Sequence, residues 1–218
     1  MPRWEPDAQA RLERAALTLF LERGYDATTV AQIADRAGLT KSTFFRHFAD
    51  KREVLFGGQD ILTDLFREGI RAAPSSASVV DCIAAALEAA AGVFTPDRRD
   101  LAPARRAVIT ANSELQEREL LKRARMAASI TEALQARGVD EPTAHLAAEV
   151  GVLAFGIAYT RWAAAASHEP FTDIAHAALR DLTVRAATLG EHAPVDFSSA
   201  MPDSGPGSST GVHSDFVA

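Results

Sequence analysis

The sequence predicts an all-α protein: a small N-terminal unit of three helices, followed by a larger helical part. Three observations carry that prediction. Apolar residues recur at three- and four-residue spacing along most of the chain, as one face of a helix requires. Threonine, serine, aspartate and glycine stand where those stretches begin and end, which is where helix caps belong. No stretch of useful length alternates apolar and polar residues as a half-buried strand does, and no internal repeat is found.

The first helix is marked by Leu12, Ala15, Ala16, Leu19 and Phe20, an apolar stripe at i, i+3, i+4, i+7 and i+8 that packs on the helices after it. Tyr25, just past the turn glycine Gly24, is expected to cap that small core. Trp4 precedes the pattern on an arm and is read as an anchor on the domain surface. Val30, Ile33, Ala34 and Ala37 form the buried face of a second helix, with Thr29 and Gln32 spaced as a capping box at its start. Gly38 ends it, because glycine readily takes the left-handed conformation of a helix C-terminus, and Leu39 plugs the gap between helices. Thr40 is then the N-cap of a third helix running from Lys41 to Phe48. Ala34, Gly38 and Phe44 fit a helix-turn-helix pattern: a small residue at the crossing, a turn glycine and an apolar anchor.

Phe44 and Phe48, four apart, turn into the core and leave Lys41, Ser42, Thr43, Arg46 and His47 facing outward. Lysine and arginine pair with guanine edges or phosphates, serine and threonine bond to either, and a helix N-terminus attracts phosphate. The surface therefore has the chemistry for nucleic acid. Asp50 and Glu53 are spaced as another capping box, which would set the Lys51 ammonium beside the N-terminus of the next helix, both favouring one phosphate.

Leu55, Leu62, Phe66 and Ile70 predict one long helix from Asp50 to about Ala72, stopped near Pro74 and interrupted by Gly57-Gly58. Two interior glycines cost about 1 kcal/mol each relative to alanine, so they mark a close crossing or a soft point. Ser76 or Ser78 starts a further helix to Phe94. Thr95-Pro96 opens a short segment that Pro103 interrupts, and a second piece ends near Asn112. Ser113 with Gln116 is read as a capping box for a helix to about Arg137, stopped by Gly138. Asp140 with Pro142 starts a long apolar helix to about Ala166, and the last helix runs from Phe171 to Leu189. Residues 143–166, with Val150, Val152, Leu153, Phe155 and Ile157 around the whole circumference, are too apolar for a surface helix of a monomer. Phe171, Ile174, Ala178, Leu179 and Leu182 add a stripe on the last helix. A two-fold pairing of these two helices into a four-helix interface is expected. Beyond Gly190 the composition turns to Pro, Gly, Ser and Thr, which cannot bury enough apolar surface to fold.

Charge is unevenly divided. The 218 residues carry a formal net charge of −6. Residues 1–56 hold nine Arg and Lys against eight Asp and Glu, whereas residues 57–218 hold 14 against 21. The acidic surplus thus lies outside the helix-turn-helix and discourages non-specific association, while local contacts to phosphate stay possible. Cys82, the single cysteine, excludes an internal disulfide and is read as a packed small side chain. No run of about 18 apolar residues and no signal-peptide pattern is found, so no membrane partner and a cytoplasmic location are expected. His145, His168, His176, His192 and His213 show no metal-ligand spacing. Nucleophile-elbow, Walker and dinucleotide motifs are missing too, so no metal, no cofactor and no catalytic residue is expected.

Residues 11–56 resemble the N-terminal domain of TetR-type transcriptional regulators. The likeness rests on Glu22-Arg23-Gly24-Tyr25, Ala27-Thr28-Thr29-Val30, Ile33-Ala34, Ala37-Gly38-Leu39-Thr40-Lys41, Thr43-Phe44-Phe45, His47-Phe48 and Lys51. It implies phosphate contacts for Thr29, Thr43, His47 and Lys51, and places Lys41, Ser42 and Arg46 near base edges. Phe45 departs from the tyrosine many relatives carry, so ring packing on the sugar-phosphate backbone remains but the hydroxyl contact does not.

The resemblance also implies a DNA-binding domain over 1–50 and a helical ligand-binding and dimerisation domain over 51–189, and composition leaves a disordered tail over 190–218. The expected partners are a near-palindromic double-stranded DNA operator, a second copy joined through the last two long helices, and a small-molecule effector. The effector would lie between the connecting helix and those after it, lined by Leu62, Phe66, Phe94, Leu121, Phe155, Tyr159 and Trp162, with Arg125 as an anion contact. In such regulators the connecting helix carries ligand-induced movement to the DNA head, which makes Gly57-Gly58 a candidate hinge. Residues 104–137 resemble an actinobacterial-type subgroup, some members of which are associated with acyl-CoA-like ligands. The expected function is a repressor released by its ligand. The alternatives are an activator or a ligand-independent DNA binder of the same fold, and an all-helical enzyme.

Overall fold

The computed structural model describes residues 8–164 and 169–189. These residues form helices α1 (Ala8–Arg23), α2 (Val30–Arg36), α3 (Lys41–His47), α4 (Glu53–Phe56), α5 (Gln59–Ala72), α6 (Val79–Ala91), α7 (Pro96–Thr110), α8 (Ser113–Gln135), α9 (Glu141–Ala164) and α10 (Phe171–Thr188). No strand occurs among the described residues. The expectations for Trp4, for the extension of α9 to Ala166 and for the tail over 190–218 lie outside the described residues.

The N-terminal unit forms for the local reasons its sequence gives. Leu12, Ala16, Leu19 and Phe20 are buried on α1, and Ile33, Phe44 and Phe48 close on them. Thr29 and Gln32 make both halves of a capping box at the start of α2. Gly38 has φ +67°, and a Cβ added there would meet Arg11 Nη2 at 2.9 Å, so both backbone and space favour glycine. Leu39 N then donates to the Ala34 carbonyl (2.8 Å), and Thr40 caps α3 by accepting from Thr43 N.

The hydrophobic core of this unit does not stop at residue 50. Val54, Leu55 and Phe56 of α4 join it, as do Val108 and Ile109 of α7 and Leu115 of α8. A second core lies between α5, α6 and α8–α10, around Phe66, Ile70, Ile83, Leu87, Ile130, Trp162 and Phe171. α4 therefore packs in the first core and leads through Gly57-Gly58 into α5 of the second.

Several boundaries differ from the sequence reading. The long connecting helix is two helices, α4 and α5, because the chain breaks at Gly57-Gly58. The tightest glycine crossing is instead at Gly69, where a Cβ would lie 2.6 Å from the Ala85 carbonyl oxygen of α6. Pro103 does not interrupt α7. It sits on the exposed side, while Ala102, Val108 and Ile109 hold the opposite face. The cap of α8 is Asn112, whose side chain accepts from Leu115 N, and Ser113 is already helical. Gln116 reaches the Thr110 carbonyl rather than closing a box.

Candidate nucleic-acid interface and cavity

α3 presents Lys41, Ser42, Phe45, Arg46 and His47 to solvent, with Thr43 half-buried beside them. Phe45 is 54% exposed, unusual for a ring on a helix anchored by Phe44 and Phe48 directly beneath it. The Thr43 hydroxyl lies 3.0 Å from that of Thr40, so Thr43 belongs to the cap at the N-terminal end of α3. Thr29 is exposed at the start of α2, its hydroxyl within the capping box.

Lys51 is placed otherwise than its sequence position implied. Its ammonium does not sit free at the N-terminus of α4 but donates to the Tyr25 and Thr28 carbonyls (2.7 and 3.0 Å) and lies 4.0 Å from the Tyr25 ring centroid. Burial pulls its pKa below the ordinary lysine value. Burial also raises the Tyr25 phenol to about 12. An ammonium has three donors, and two are taken here. The expected box between Asp50 and Glu53 is only half made. Asp50 accepts from Arg52 N and Glu53 N (2.8 and 3.0 Å), but the Glu53 carboxylate turns away to Arg118 and Lys122 of α8. Burial pushes the Asp50 carboxyl up, yet the bonds from Arg52 and the backbone more than offset it and leave its pKa below the usual range.

Behind the head lies a cavity of about 290 Å³. Leu62, Phe94, Phe155, Tyr159 and Trp162 line it, together with both residues of the Gly57-Gly58 break. Phe94 stacks on Phe171 (centroids 3.8 Å apart) and meets Trp162 edge-on (5.2 Å), which fixes the aromatic wall. Three expected lining residues are not on its wall. Phe66 is fully buried behind Phe155, ring to ring at 5.6 Å. Leu121 and Arg125 are exposed on α8, because the face that α8 turns inward is the one carrying Leu115, Lys122, Met126 and Ile130. The cationic groups on the wall are instead Arg98, Arg105, Arg106 and Arg123.

Residues 13–56, spanning α1 to α4, match the family described as bacterial regulatory proteins, tetR family. These residues form a TetR-type DNA-binding head. Over 82 residues it is 37% identical to the HTH-type transcriptional regulator TcmR of Streptomyces glaucescens, covering 38% of this chain and 36% of that protein. Over 72 residues it is 38% identical to the HTH-type transcriptional repressor KstR2 of Rhodococcus jostii, covering 31% and 35%. The chain thus spans about a third of the length of the curated relatives it matches. A solved TetR-family structure from Syntrophomonas wolfei shares the fold with TM-score 0.54 at 15% identity, covering 84% of this chain and 96% of that one.

Outside the TetR head, sequence reasoning missed a basic set that grips α4. The break at Gly57-Gly58 frees the last carbonyls of α4, and cations favour that end of a helix. Arg105 Nε donates to the Leu55 carbonyl (2.7 Å), and Lys122 Nζ donates to the Phe56 carbonyl (3.2 Å) and to Glu53 (3.3 Å). Lys122 is only 8% exposed. A signal for it existed: Leu115, Lys122, Met126, Ile130 and Leu134 fall on one helical stripe, so the lysine stands at a core position.

Proposed function

We propose that the protein is a homodimeric transcription factor whose helix α3 enters the major groove of a near-palindromic operator, and that a small molecule in the cavity releases it from DNA. The observation that carries this reading is the surface of α3. Five consecutive-turn side chains able to contact DNA are exposed on a helix anchored from beneath by two buried phenylalanines. Thr29, Thr43, His47 and Lys51 are read as phosphate contacts, Lys41, Ser42 and Arg46 as base-edge contacts, and Phe45 as backbone packing. For Lys51 that means its remaining donor, or exchange of a carbonyl for a phosphate.

The names of the relatives, a transcriptional regulator and a repressor, support the same reading. The boundary between head and regulatory part is taken at 50/51 along the chain, with α4 packed against the core of the head. Dimerisation is supported by α9 and α10. α9 has the length and apolarity of a membrane span, yet only 33% of its most apolar 18-residue window is buried within one protomer. Leu146 and Leu153 on α9 and Val184 on α10 stay exposed. A second copy of these two helices would cover them.

The test is binding of the purified protein to DNA beside its own gene, against unrelated DNA of equal length, at two salt concentrations. Selective binding that weakens with salt supports the reading. Equal, weak binding to both DNAs sinks it.

A further inference from the structure

The cavity differs in charge from the part of the chain that supplies most of its wall. Residues 57–218 carry seven more acidic than basic side chains, yet four arginines, Arg98, Arg105, Arg106 and Arg123, line the cavity against two carboxylates, Glu13 and Glu119. Among the described residues, Arg98, Arg106 and Arg123 have no carboxylate within ion-pair distance, and Arg105 meets Glu119 only at 3.6 Å. Gly156 gives Arg123 its seat: a Cβ there would lie 3.3 Å from the guanidinium. The far wall is aromatic.

We infer that the cavity takes a small organic anion with a flat apolar body, a carboxylate or comparable acid on an aromatic ring system, and that Arg105 is its principal charge partner. This rests on the reading of the cavity as the effector site. Arg105 stands at the boundary of the two walls, its guanidinium 5.9 Å from the Tyr159 centroid and 5.4 Å from that of Phe56. An acid bound there lies against Arg105 while its rings lie along Phe94, Phe155 and Trp162. Because Nε of the same guanidinium holds the Leu55 carbonyl, the anion draws on the group that fastens the last turn of α4. Recognition and release then pass through one side chain.

The experiment uses the full chain carrying Trp4→Phe, which leaves Trp162 as the only tryptophan. A nitronaphthoate and the matching nitronaphthamide, equal in shape and different in charge, are titrated while quenching of Trp162 fluorescence is read. The carboxylate is expected to bind about ten-fold tighter than the amide, the scale of a charge-assisted hydrogen bond. Arg105→Gln is expected to remove most of that preference while the amide affinity stays. Arg123→Gln, which touches no α4 carbonyl, is expected to narrow it in part. Equal binding of carboxylate and amide to the parent chain, or no quenching by either, overturns the inference. DNA binding is measured on the same sample: selective DNA binding without charge preference sinks this inference alone, and charge preference without DNA binding sinks the regulator alone.

Discussion

Gly38 shows how much of the reading head depends on one backbone angle. With φ at +67° and Arg11 pressed against the place of a Cβ, Gly38→Ala is expected to cost about 1–2 kcal/mol and lower the melting temperature by a few degrees. An unchanged melting curve would show that the turn relaxes freely. Asp50 makes a second residue-scale prediction. Its folded pKa lies below its ordinary value, so its ionised form contributes stability above about pH 4, the unfolded carboxylate range, and that contribution is lost as pH falls through the lower folded pKa. Asp50→Ala is expected to cost about 1 kcal/mol at pH 7, and the difference from the parent chain should shrink below about pH 4. Denaturant melts at both pH values check this, and a gap that widens in acid would contradict it. Capping residues with their bonds to the adjacent backbone were legible in sequence because they are local. The partners of Glu53, 65 and 69 residues away, were not.

At the scale of elements, α1 to α3 could be read almost to the residue. Short amphipathic helices punctuated by Thr29, Gly38 and Thr40 leave few other ways to bury Phe44 and Phe48. The connecting helix was harder. Its apolar positions continue in phase across Gly57-Gly58, so periodicity alone gives one helix where the structure has α4 and α5. Pro103 misled in the opposite direction, since it sits on the exposed side of a helix whose opposite face is buried. For the cavity, Phe94, Phe155, Tyr159 and Trp162 were visible as inward aromatics. Leu121 and Arg125 were misplaced, because α8 turns inward the stripe of Leu115, Met126, Ile130 and Leu134, on which Lys122, a residue that composition assigns to the surface, also lies. Gly58 touches the cavity, and a Cβ there would meet only Arg98 at 3.6 Å, so Gly58→Ala is expected to stiffen the joint and reduce effector-dependent release several-fold, with operator affinity in the absence of effector little changed. Release unchanged in that variant would show that the break is not a hinge.

For the whole molecule, the exposed apolar residues of α9 and α10 predict an assembly that charge should break. Leu146→Glu with Val184→Glu is expected to give monomers by sedimentation and to weaken operator binding at least about ten-fold, because the two half-sites no longer share one binding event. A dimer that survives both substitutions would move the interface elsewhere. In this architecture the Arg105 guanidinium is shared between a helix end and a cavity wall. Shared parts constrain inheritance. Lineages that change what they sense by altering that side chain would also alter how firmly their resting state holds DNA, so new specificities are more accessible through Arg98, Arg106 or the aromatic wall. Variation among closely related sequences should therefore concentrate at those positions and spare Arg105.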